Sequence, residues 1–122
     1  MSQDPATKIS RRVDKPWGHE EIWAETPRYV GKILFIQSGH RLSLQHHVQK
    51  DETIRVATGT LQLDLDDDDG ALIPHVLQPG DSCRIRPGRR HRMTAITDVE
   101  VIEVSTTELD DVVRHDDDYG RT

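Results

Sequence analysis

One rhythm narrows what this chain can fold into more than any other feature: nine short apolar stretches, each closed by turn-forming residues. They are EEIWAE at 20–25, GKILFIQS at 31–38, RLSLQHH at 41–47, ETIRVAT at 52–58, TLQLDL at 60–65, ALIPHVLQ at 71–78, DSCRIR at 81–86, HRMTAI at 91–96 and VEVIEVST at 99–106. Gly31, Gly39, Gly59, Gly70, Gly80 and Gly88 punctuate them. Leu61, Leu63 and Leu65 alternate with polar residues, and Val99 and Val101 oppose Glu100 and Ile102, the period of two that a half-buried strand requires. Many short alternating strands with glycine turns specify an all-β sandwich or barrel. A single helix is expected at the C-terminal end, in TELDDVVR at 107–114, where Thr107 caps and Leu109, Val112 and Val113 form the apolar side.

The 122 residues suffice for one domain, read as 14–122 behind a flexible polar arm at 1–13. A net charge of -6 disfavours nucleic acid and anionic membrane surfaces as partners. Cys83 is the single cysteine, so no disulfide forms within the chain. The first residues carry no apolar leader core, and the longest apolar run, ILFI, is far too short to cross a bilayer, so a cytoplasmic location is expected. The acidic run DDDDG at 66–70 does not fit a calcium loop, because aligning Gly70 with the loop glycine puts Leu65 and Val76 at ligand positions. It reads as a solvated hairpin tip.

Chemistry concentrates in LSLQHHVQKDE at 42–52. Gln45 and His47 project to one side of an extended strand, and a turn brings Glu52 back beside them. An amide oxygen, an imidazole and a carboxylate together suit a divalent metal, although the spacing alone also suits an ordinary polar hairpin. A fourth ligand is offered by His91, which opens a strand after the Pro87-Gly88 turn. His46 is expected to face away from the ligands, and His19, His40, His75 and His115 to be ordinary surface groups. Around His91, Arg84, Arg86, Arg89, Arg90 and Arg92 reverse the charge of an acidic protein, which predicts an anion-binding rim with Arg92 as its leading member.

These residues resemble a known family. GHRLSLQHHVQKDETIRVATG and GDSCRIRPGRRHR resemble the two cupin motifs. KPWG at 15–18, GKI at 31–33, LSLQ at 42–45, His91-Arg92, IEV at 102–104 and DDVVRHDDDYGR at 110–121 resemble type II phosphomannose isomerase, the cupin domain that elsewhere follows a mannose-1-phosphate guanylyltransferase domain. The resemblance implies a cupin double-stranded β-helix, or jelly-roll barrel, with a metal held by Gln45, His47, Glu52 and His91. The ion would be divalent, with zinc first and manganese, nickel, cobalt or iron as alternatives. It implies a sugar-phosphate pocket with Lys32, Lys50 and Arg92 at matching basic positions, Arg92 and Lys50 being the expected catalytic residues and Lys32 a substrate-binding one; the arginine cluster adds Arg86 and Arg90 as expected substrate-binding residues. The substrate would be an anionic sugar, mannose 6-phosphate going to fructose 6-phosphate, and the assembly a homodimer. Lys50 stands where the family usually has arginine, and Arg86 replaces a proline of the second motif. Guanylyl transfer is not expected, since no glycine-rich phosphate loop occurs in the sequence. Two other functions suit the same fold: a non-catalytic module binding a sugar or sugar nucleotide, and other metal chemistry such as dioxygenation.

Overall fold

The computed structural model describes residues 10–122. Eleven strands follow one another: β1 (Arg11–Lys15), β2 (Gly18–Glu25), β3 (Val30–Ile36), β4 (Leu44–His46), β5 (Glu52–Thr58), β6 (Leu61–Asp66), β7 (Leu72–Leu77), β8 (Ser82–Ile85), β9 (His91–Ala95), β10 (Val99–Ser105) and β11 (Val113–Asp116). One sheet has the order β1-β2-β3-β10-β5-β8 and the other β11-β4-β9-β6-β7. All pairings are antiparallel, and the chain passes repeatedly between the sheets, as in a jelly roll. Alternation sends Leu61 and Leu63 of β6, Ile54 and Val56 of β5, Val99 and Val101 of β10, and Met93 and Ala95 of β9 into one core between the sheets, joined by Trp17, Leu34 and Ile85. Gly59 makes the tight turn from β5 to β6 with φ +80°, where a Cβ would sit 2.0 Å from the Asp98 carbonyl oxygen.

Each of the nine apolar stretches contains a strand. Two further strands, β1 and β11, are polar and are defined by their partners, β2 and β4. Of the segment 1–13 expected as a flexible arm, Arg11–Val13 belong to β1, and residues 1–9 lie outside the described residues. The C-terminal helix is corrected outright. Residues 107–112 form short turns closed by bonds such as Val112 N–H to the Asp110 oxygen, 3.0 Å, and Val113 enters β11. Asp111 explains why. Its carboxylate is committed to the amides of a distant loop, so the segment is held by long-range bonds that a local helix would break. Among the described residues no helix is long and apolar enough to cross a membrane.

Candidate metal centre

Three strand ends converge at one end of the barrel. Glu52 opens β5, His91 opens β9, and His47 follows β4 directly. Register places Gln45 of β4 opposite His91. His47, Glu52 and His91 are all buried, and each offers a ligand atom within 4.8 Å of the others.

The hydrogen bonds around the two imidazoles decide what this cluster can do. His91 Nδ1 donates to the Arg89 carbonyl oxygen, 2.9 Å, and His47 Nδ1 donates to the Asp111 carbonyl oxygen, 2.5 Å. A carbonyl only accepts, so in each neutral ring the proton sits on Nδ1 and Nε2 carries a lone pair. Those lone pairs face one carboxylate oxygen: Nε2 of His47 lies 3.3 Å and Nε2 of His91 3.4 Å from Glu52 Oε1. His91 Nε2 has no hydrogen-bond partner. A cation placed between these three buried electron-rich atoms would satisfy all of them. Fixing a ligating histidine through its other nitrogen is the usual outer-shell arrangement of a metal site. The donor set therefore fits a divalent ion. Gln45 stands beside it, with Oε1 accepting from Ser43 Oγ at 2.8 Å.

Charge is tightly arranged behind the ligands. Lys50 Nζ lies 3.2 Å from Glu52 Oε2 and 3.1 Å from Glu103 Oε2, and all three residues are buried. Desolvation acts against the Lys50 ammonium, but Glu103 and Glu52 outweigh it and hold its affinity for a proton above the ordinary value. Burial likewise opposes ionisation of Glu52, and the Lys50 ammonium beside it favours its carboxylate. Glu103 goes the other way: burial, then the neighbouring Glu52 charge, push its carboxyl up to about 7. Lys32 Nζ, 3.4 Å from Glu20 Oε1, forms a second buried pair on the same wall.

Asp111 shapes the loop that carries His47. Its carboxylate accepts the Val48 amide at 3.0 Å, the Gln49 amide at 2.7 Å and the Lys50 amide at 2.9 Å, which lowers its carboxyl to about 2. One residue thus clamps the loop with its side chain and orients the ring with its main chain.

Beside the ligands opens a cavity of about 320 Å3, lined among others by Gln45, His47, Lys50, Glu52, Lys32 and Glu103. Of the residues singled out from the sequence, Gln45, His47, Glu52, Lys32 and Lys50 come together on its walls, with His91 against Glu52. The predicted arginine rim does not form there. Arg92, Arg86 and Arg90 are not among the lining residues. Neighbours in a strand face opposite ways, so when His91 points in, Arg92 points out. Arg92 Nε donates to the Leu42 carbonyl oxygen, 2.9 Å, and its guanidinium pairs with Asp116 at 3.1 Å. Arg89 and Arg90 grip Asp66 at the base of the acidic hairpin, Arg84 pairs with Asp51, and Arg86 is exposed. These cations mostly balance acidic loops. His46 does face outward, and its Nδ1 lies 2.7 Å from Nε2 of His115. Glu103 and Asp111 did not emerge from the sequence. Glu103 had a signal, since it continues the inward series Val99, Val101.

With this geometry in view, similarity to known proteins is informative. Residues 2–117 match the family model described as mannose-6-phosphate isomerase C-terminal. The chain is 31% identical over 119 residues to mannose-1-phosphate guanylyltransferase of Escherichia coli K12, covering 93% of this chain and 24% of that protein. It thus spans about a quarter of the length of such relatives. Among solved structures, KdgF from Halomonas sp. superposes with a TM-score of 0.72 at 20% identity, over 88% of this chain and 94% of that one. Bacillus subtilis oxalate decarboxylase, whose Mn(II) centres have been characterised, superposes with a TM-score of 0.74 at 12% identity, over 87% of this chain and 30% of that one. Those two likenesses establish the fold, a cupin barrel.

Proposed function

The chain belongs to the mannose-6-phosphate isomerase C-terminal family, and on that premise we propose that it is a divalent-metal-dependent sugar-phosphate isomerase interconverting mannose 6-phosphate and fructose 6-phosphate. The observation that carries this reading is the convergence of the His47 and His91 lone pairs on Glu52, beside a cavity of about 320 Å3. That volume lies within the range of roughly 300–1,000 Å3 typical of small-molecule sites. His47, Glu52 and His91, with Gln45 beside them, would hold the ion, which supplies a Lewis acid for a substrate carbonyl.

The chain's own residues would do the rest. Isomerisation moves one proton from C2 to C1 and one from O2 to O1, with no external oxidant or reductant. Glu103 is a cavity carboxylate outside the ligand set, and it takes the C2 proton and returns it to C1. Lys50, seated between Glu103 and Glu52, holds Glu103 in place and supplies positive charge beside the reacting carbons.

The test is direct. Protein stripped of metal and reloaded separately with zinc, manganese, cobalt or nickel is given mannose 6-phosphate, and fructose 6-phosphate is followed beside a His91→Ala control. Turnover that requires metal and disappears in the control is expected. Absence of turnover with every metal, in protein shown to hold one, would overturn the isomerase reading.

A further inference from the structure

The cavity is rich in cations, but almost all of them are already neutralised. Lys50 is shared by Glu52 and Glu103, and Lys32 is paired with Glu20. Lys15 approaches Glu20 at 4.0 Å, Arg11 meets Glu25 at 3.2 Å, and Arg121 clasps Asp117 with two bonds of 2.9 and 3.0 Å. Arg114 is different. It lines the same cavity, yet among the described residues no aspartate or glutamate side chain pairs with it. Its Nη1 donates to an oxygen of Thr122, the last residue of the sequence, at 2.7 Å, and its Nε is buried without a partner. A buried donor left unmade is costly, about 1–3 kcal/mol, and a turn of the guanidinium toward an anion in the cavity would satisfy it.

Position strengthens the case. Residues opposite one another in antiparallel strands project from the same face of a sheet. His91 stands opposite Gln45, and Gln45 stands opposite Arg114, so the three form a row across β9, β4 and β11 on the inner face. Two strand spacings of about 4.8 Å separate the row's ends. That is close to the reach of an open six-carbon chain with a terminal phosphoryl group. The arginine run around His91 faces elsewhere and cannot serve this end of the cavity.

We infer that Arg114 forms the anion subsite of the cavity, receiving the phosphoryl group of a sugar whose carbonyl end lies at His47, Glu52 and His91. This inference rests on the sugar-phosphate reading above and assigns the anion to β11. A planar guanidinium presents paired N–H donors to phosphoryl oxygens, which a lysine cannot reproduce.

Isothermal titration of the metal-loaded protein separates this inference from the reading beneath it. Mannose 6-phosphate, mannose and inorganic phosphate are each titrated into the natural protein, Arg114→Gln and Arg114→Lys, with metal content and far-ultraviolet circular dichroism recorded for all three. Arg114→Gln is expected to bind mannose 6-phosphate and phosphate at least tenfold more weakly, with mannose affinity and metal content unchanged. Arg114→Lys is expected to recover part of the loss. If Arg114→Gln binds mannose 6-phosphate as the natural protein does, the anion subsite lies elsewhere while the sugar-phosphate reading stands. Equal loss for mannose and its phosphate would also refute the subsite. Failure of the natural protein to prefer mannose 6-phosphate over mannose would overturn the sugar-phosphate reading and the inference with it.

Discussion

Replacing Glu103 by glutamine should change how stability depends on pH, in a direction that the burial of this carboxyl dictates. Glu103 is buried beside Glu52, and its carboxyl rises from an ordinary 4.5 to about 7. The folded protein therefore binds this proton more tightly than the unfolded chain does. The resulting stabilisation is complete below pH 4.5 and is lost as pH climbs through 7. At about 1.4 kcal/mol for each tenfold change in proton affinity, the loss across that window is about 3 kcal/mol. Glutamine keeps the shape and cannot ionise. Urea unfolding of both proteins in chelator, at intervals from pH 4.5 to 8, gives the difference curve. The natural protein should lose about 3 kcal/mol relative to Glu103→Gln over the window. Parallel profiles, or a difference of the opposite sign, would refute the assignment of a raised carboxyl to Glu103.

Two further expectations concern residues outside the ligand set. Asp111→Asn removes the charge that gathers the amides of residues 48–50, so affinity for the metal should fall about 10–100-fold, with one ion still bound at saturation. Chelator competition measures this, and unchanged affinity would mean that the His47 loop holds its shape unaided. Because the Asp111 carboxyl is lowered to about 2, the clamp should persist as pH falls past 3.8 and release only near 2. Arg92→Ala leaves the Leu42 carbonyl oxygen without its donor and frees Asp116, so unfolding should be easier by about 1–3 kcal/mol. Sugar-phosphate affinity should change far less than in Arg114→Gln; an equal loss would return Arg92 to the binding site.

Most of the fold was legible because its strands obey the alternation that burial imposes. ETIRVAT at 52–58 is β5 to the residue, and VEVIEVS is β10. What escaped was decided by partners rather than by pattern. RRVDK and VRHD carry no apolar alternation and become strands only because β2 and β4 offer them edges to pair with. TELDDVVR has the local marks of a helix, but three amides of the loop at residues 48–50 compete for Asp111 and win. Within the site, residue chemistry and spacing brought His47, Glu52 and His91 together. Arg92 misled for a geometric reason: adjacency to a ligand along a strand is a reason to face away from it. The same rule would have found Glu103, two positions beyond Val101 on the inward face.

The clamp on the His47 loop also bears on the order of events during folding. His47 and Asp111 are 64 positions apart, and β11 reaches β4 across a similar span. Contacts so distant in sequence close late, because the entropy of a long loop must be lost before they reward it. Until Asp111 arrives, the segment from Gln45 to Glu52 would be only a loose chelator, with neither its imidazole oriented nor its loop gathered. Tight capture of a metal would thus be a late event, a sign that the barrel has closed rather than the nucleus around which it forms.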